Sequence, residues 1–142
     1  MKRFLATLAL LAAFLVAGAM GAGNAAAAPS QSLTLKELKD SGAQALTAEQ
    51  LKAFLLKGTH NGMDAQYKDM LKFWDDGTLK STNERNNQAK GTWSVDADGV
   101  FSMVQNWPKP ERASGKAYAK DGACYFFNPD AGDASTWVYF ME

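Results

Sequence analysis

The chain has 142 residues, 46% of them hydrophobic and 21% charged, with 15 Lys and Arg balancing 15 Asp and Glu. That length suits one domain with a short appendage, and an 11% aromatic content argues against a mainly disordered chain. Zero net charge withholds the electrostatic footprint of a general nucleic-acid binder, while one Cys and one His exclude an internal disulfide and any multi-thiolate zinc site.

The first 27 residues read as a secretory signal peptide. Lys2 and Arg3 supply a positive start, residues 4–16 form an uncharged apolar run, and Gly18, Gly21 and Gly23 loosen the segment after it. Ala25 and Ala27 stand where a signal peptidase reads small residues, which places cleavage after Ala27. The apolar run is shorter than the roughly 20 residues a spanning helix needs. The expected product is therefore periplasmic or extracellular, in a bacterial envelope, with no stable membrane anchor. Loss of Lys2 and Arg3 leaves it with a net charge of −2, too little to steer partners strongly.

Residues 28–45 read as a short linker with a helical piece, and residues 46–142 as a helix followed by a β-meander. Thr34-Leu35-Lys36-Glu37 and Thr47-Ala48-Glu49-Gln50 both have the capping-box form, in which Thr and the residue three further on exchange hydrogen bonds with each other's backbone. The first helix spans about residues 35–40 and stops at Ser41-Gly42. It is too short to persist alone and must lean on an apolar surface. In the second, Leu51, Phe54 and Leu55 share a stripe, and Gly58 stands where the helix would stop.

Beyond Gly58 the period changes to that of strands. Asp76-Gly77, Asp98-Gly99 and Asp121-Gly122 recur at spacings of 22 and 23 residues, each between strand-like segments. Such dipeptides predict hairpins with tight primed turns, because Gly supplies positive φ and Asp tolerates it. Three hairpins and a closing strand over residues 136–140 give seven strands, with an eighth over residues 59–63. The fold class is α+β, mostly β: one or two short N-terminal helices on an antiparallel meander of seven or eight strands, as a curved sheet or a small barrel. Residues 82–89 read as a solvated loop, and residues 107–115 as a second irregular stretch stiffened by Pro108 and Pro110.

Alternation adds to this. Trp93 and Val95 share one face, with Thr92 and Ser94 on the other, as in a half-exposed strand. The later strands, around Phe101, Tyr125 and Trp137, are apolar on both faces, so something must cover the outer one: the N-terminal helix, a loop or a partner.

Residues 46–140 resemble a family of small exported bacterial domains of unknown function. The likeness is carried by Leu46-Thr47-Ala48-Glu49-Gln50-Leu51-Lys52, Phe73 with Asp76-Gly77, Gly91-Thr92-Trp93, Asp98-Gly99, Cys124-Tyr125-Phe126 and Trp137-Val138-Tyr139-Phe140. These are mostly turn and core residues, and the resemblance implies architecture and export rather than an activity. It also implies a second Cys on the strand after the Gly-x-Trp hairpin; Val100-Phe101-Ser102-Met103-Val104 has none.

The chemistry-bearing residues are few. Cys124 lies in an apolar run and reads as a buried thiol, with an intermolecular disulfide as the other reading. His60 reads as a loop or strand-edge histidine; a Cys–His pair with Cys124 would need hydrogen-bond reach and an orienting third group. Asp96-Ala97-Asp98-Gly99 and residues 128–133 read as turns rather than calcium loops, since the apolar residues after Gly99 supply no further ligands. Asp75 and Asp76, adjacent at a hairpin tip, lack the separation glycoside hydrolysis needs. No cofactor or metal site is implied.

Trp93 and Trp137 read as core, whereas Trp74 and Trp107 are binding candidates, joined by Lys109 and Arg112 of the proline-stiffened stretch. The reading is a non-catalytic binding or interaction module of the envelope, its partner a protein, a glycan or a small apolar ligand. One alternative is a secreted inhibitor presenting residues 107–112 to a hydrolase; a weaker one is a small enzyme using His60 and Cys124.

Overall fold

A computed structural model describes residues 33–63, 68–128 and the backbone of 137–140. The signal-peptide segment and the turn expected over residues 129–133 lie outside the described residues.

Helix α1 (Leu35–Asp40) and helix α2 (Ala48–Leu55) each open on the capping box expected of them, with Thr34 and Thr47 as caps. α1 closes as the Ser41-Gly42 signal predicts: Gly42, at φ +83°, donates to Lys39 O and Ala43 donates to Leu38 O. α2 does not end at Gly58. Its helical geometry stops at Leu55, with Leu56 as the cap, and Gly58 lacks the positive φ of a glycine cap.

Strands β1 (Thr59–Met63), β2 (Lys68–Phe73), β3 (Thr78–Asn83), β4 (Gln88–Val95), β5 (Val100–Asn106), β6 (Pro110–Lys120) and β7 (Ala123–Phe127) follow in a simple antiparallel meander. The four-residue β8 (Trp137–Phe140) pairs with both β7 and β1, and the curled sheet closes into a barrel. Closure pairs the first strand with the last, β1 with β8.

Only one of the three Asp-Gly turns is the expected two-residue primed turn. Asp121 and Gly122 both have positive φ, 49° and 79°, between the paired Lys120 and Ala123. At the other two, Gly77 and Gly99 alone turn positive, and each donates to the carbonyl three residues back, Trp74 and Asp96. These are longer turns in which Gly occupies the left-handed position. Asp96 Oδ1 accepts from the N–H groups of Asp98 and Val100, and Asp76 Oδ1 from the N–H and hydroxyl of Thr78. Those hydrogen bonds hold the Asp76 carboxyl below its ordinary range.

Two stretches read as irregular are partly strand. Within residues 82–89, β3 runs to Asn83 and β4 starts at Gln88; Asn86, at φ 60°, turns a tight hairpin that Asn83 Oδ1 clamps by accepting from Arg85 and Asn87 N–H. The polar composition hid the hairpin because Asn takes the left-handed position as Gly does. Within residues 107–115, β6 begins at Pro110, leaving only Trp107, Pro108 and Lys109 between strands. Pro110 is tolerated because it is the first residue of its strand.

The β2–β3, β4–β5 and β6–β7 turns lie at one end of the barrel, which α2 covers. Leu46 N–H donates to Ala117 O, and a Cβ on Gly99 would come within 2.9 Å of Leu46 O. Leu51 and Leu55 are fully buried against Leu71, Phe73, Trp93 and Phe101. The rings form a chain through the interior: Phe73–Trp93 at 5.6 Å, Phe73–Phe101 at 6.0 Å and Phe101–Phe126 at 5.1 Å between centroids. Toward the other end the inner face turns small and polar, with Gly62, Ala89 and Gly91 beside buried Gln105 and the Ser81 hydroxyl donating to Asp69 Oδ2 at 3.0 Å.

Every residue of β7 is buried, on both faces. Cys124 and Phe126 join the interior, whereas Ala123, Tyr125 and Phe127 form a second cluster with Tyr118 under Leu38 of α1. The N-terminal helix is thus the cover that the two-sided apolar pattern of β7 demands.

Candidate functional site

Strand alternation and register sort the charged side chains. Leu71, Leu79, Trp93 and Phe101 are buried, so their alternates point outward. On β2 through β6 those alternates include Lys68, Lys72, Lys80, Lys90, Arg112, Lys116 and Lys120. The only strand carboxylates among the described residues, Asp69 and Glu111, fall on the opposite face: Asp69 sits across from Gly62 and Asn83, Glu111 across from Gln105. The acids collect elsewhere, with Asp75, Asp76, Asp96, Asp98 and Asp121 at the turns of the helix-covered end. A chain with no net charge thereby acquires an acidic end and a cationic wall.

The wall is most concentrated across β2, β3 and β4. Lys72 lies directly opposite Lys80, and Lys80 directly opposite Lys90. Directly opposed residues sit about 5 Å apart, where like charges are destabilising. No ion pair joins any of the three to a carboxylate among the described residues; the pairs present are Lys36 with Asp40 and Lys120 with Asp121. Opposed lysines of this kind repel one another, and among the described residues no carboxylate neutralises the row.

Apolar side chains are interleaved with it. Met70, on the outer face of β2 with Lys68 and Lys72, is 49% exposed, and Trp74, the residue after β2, is 39% exposed. Lys72 Nζ stands 5.5 Å from the Trp74 ring centroid, a cation–π contact. The Trp74 backbone is held from beneath: its carbonyl accepts from the indole N–H of buried Trp93 at 2.9 Å, and its N–H donates to Thr78 O. A core tryptophan therefore fixes the position of an exposed one. The third large exposed apolar residue among those described, Leu56, leads with Lys57 into β1, where Thr59 lies opposite Lys72.

The other expected binding residues lie apart from this wall. Trp107 and Lys109 belong to the β5–β6 turn, at the end opposite the β2–β3 turn that carries Trp74, so the two tryptophans do not form one patch. Trp107 is half-buried, Lys109 exposed, and Arg112 lies on β6 opposite Val104. The stretch expected to project as a stiffened loop is mostly paired sheet.

His60 and Cys124 are both interior. His60 is neither in a loop nor at a strand edge: it is fully buried, facing Leu71, with its ring 4.7 Å from Phe54 and 5.9 Å from Phe73. Nε2–H donates to Leu55 O at 3.0 Å, which satisfies one carbonyl at the end of α2. That bond leaves Nδ1 buried without a partner. Burial holds the imidazole below its ordinary pKa, and the Leu55 and Phe54 carbonyls offset only part of that. The Cys124 thiol is buried and pushed up to about 12 by desolvation, so it is not a thiolate at neutral pH. No group of three His, Cys, Asp or Glu side chains among the described residues could hold a metal, and no described helix is long and apolar enough to cross a membrane.

Fold and site together define a small closed antiparallel barrel, plugged by a helix and segregated in charge. No family model, no curated protein and no solved structure matches this chain.

Strand alternation in the sequence placed Trp74 outward, where it is exposed, but the lysine row was missed. Its signal was present. The β2–β3 hairpin centres on Asp76, so residues 72 and 80 must oppose each other; only the tight turn hidden in residues 83–87 was needed to bring Lys90 opposite Lys80.

Proposed function

We propose that this protein is an exported, non-catalytic binding module whose working surface is the outer wall of β2–β4, and that its partner is anionic. The observation that carries the reading is the Lys72–Lys80–Lys90 row, which has no ion pair among the described residues, beside the exposed Trp74 and Met70. Clusters of one charge with apolar side chains between them bind by complementarity, and electrostatic steering raises the encounter rate.

The interior supports this choice over a small apolar ligand. Its helix-covered half is filled by Leu51, Leu55 and the aromatic chain, and its other half is polar, with Asp69, Ser81 and Gln105 on the inner face. An enzyme using His60 and Cys124 has the weaker support, since one is tied to a backbone carbonyl and the other is a buried thiol.

A titration with dextran sulfate, followed residue by residue through backbone amide NMR shifts, tests the reading. Shifts centred on β2, Lys80 and Lys90 are expected. Shifts centred on Trp107, Lys109 and Arg112 would favour the inhibitor reading instead, and an unchanged spectrum would end the binding-surface reading.

A further inference from the structure

Resting on the reading just given, we infer that the anionic partner is a phospholipid bilayer, met edge-on by the β2–β4 wall as a peripheral contact. A sugar polymer gives Trp74 a stacking partner and the lysines counter-charges, but it leaves the exposed Met70 between Lys68 and Lys72 unexplained. A bilayer surface accounts for all of them. Its headgroup phosphates meet Lys68, Lys72, Lys80 and Lys90, and its headgroup–acyl boundary takes the exposed side chains between them. Trp74 has the amphipathic ring that settles at that boundary, and its backbone is fixed by Trp93, so its insertion costs little ordering.

Charge segregation sets the orientation. The turns at the helix-covered end carry Asp75, Asp76, Asp96, Asp98 and Asp121, so that end tilts away from an anionic surface and Trp74, beside Asp75 and Asp76, meets it at the margin of the wall. The covered face of β6 and β7 lies under Leu38 and is closed to lipid. The wall is therefore the approach that brings cations and apolar groups to the surface together. Wall lysines make the attachment salt-dependent and reversible, unlike that of a membrane-spanning segment.

The test is sedimentation with vesicles of phosphatidylcholine alone and of phosphatidylcholine with phosphatidylglycerol, at low and physiological salt. Binding is expected only with phosphatidylglycerol, and it should weaken as salt rises. Changing Lys72, Lys80 or Lys90 to Ala should weaken it about fivefold each, the factor corresponding to about 1 kcal/mol per lysine. The double change Met70→Ser with Trp74→Ala should weaken binding at every salt concentration without altering the salt dependence. Circular dichroism and unchanged burial of Trp93 fluorescence keep misfolded variants out of the comparison. Equal sedimentation with both vesicles, or none with either, overturns the bilayer assignment. If dextran sulfate still shifts the β2–β4 amides in that case, the anionic-partner reading survives and the partner is a polyanion in solution.

Discussion

The outer faces of β6–β7 and β2–β4 belong to one barrel, yet the chain treats them oppositely. Over β7 the outward residues Tyr125 and Phe127 are apolar, and a six-residue helix is held in place to cover them through Leu38. Over β2–β4 the outward row is lysine, with Met70 and Trp74 left in the open. A helix as short as α1 does not form unaided in water, so its order comes from the contact it makes. The covered wall is thus explained inside the molecule. The bare wall is not: it opposes like charges at close range with no ion pair among the described residues, which agrees with the proposed anionic partner.

Substitutions separate the two walls, most strongly at the covered one. Leu38→Ala removes the side chain that joins α1 to Tyr118, Tyr125 and Phe127 and should cost about 2–5 kcal/mol in a denaturant titration. Met70→Ala, on the bare wall, should shift stability by no more than about 0.5 kcal/mol in the same measurement. Equal costs would mean that the bare wall is packed after all.

The turns give a smaller contrast at the helix-covered end. Gly99→Ala must accept φ +75° with its new methyl 2.9 Å from Leu46 O, and should cost about 1–3 kcal/mol. Gly122→Ala, at φ +79° but facing open space, should cost less in thermal melts. The difference between them reads the contact between the β4–β5 turn and the residues that lead into α2.

His60 links the helix plug to the barrel, and its titration tests that link. Burial lowers its folded-state pKa below the 6.5 of an exposed imidazole, so the unfolded chain takes up the proton first. The stability owed to neutral His60 is complete above pH 6.5 and is lost as pH falls from there through the folded-state pKa. The slope reaches at most about 1.4 kcal/mol per pH unit for one proton. Unfolding titrations between pH 7.5 and 5.5 should show this decline, and His60→Gln, which keeps a donor for Leu55 O, should flatten it.

Architecture was largely legible in the sequence because its signals are local. The two capping boxes, the Asp-Gly corners and the alternation around Trp93 each act within a few residues, and each reappears in the fold. The misreadings have physical causes too. Asn86 takes a backbone conformation usually left to Gly, which disguised a hairpin as a polar loop. Pro110 sits at the one strand position where a missing N–H does no harm, which disguised the start of β6. The candidate site was only partly legible: Trp74 could be placed by alternation, but the lysine row depends on the registers of two successive hairpins. Net charge concealed it altogether, since counting charges cannot tell a mixed surface from a divided one.

The central claim is that the Lys72–Lys80–Lys90 row is kept for binding at the expense of the fold. Lys80→Glu tests it most directly, because one substitution places a carboxylate between two lysines. Measured together, its unfolding free energy should rise, by about 0.2–1 kcal/mol, while the salt needed to elute it from a sulfonate cation exchanger at pH 7 should fall. A variant that is less stable and elutes with the unaltered protein would contradict the claim.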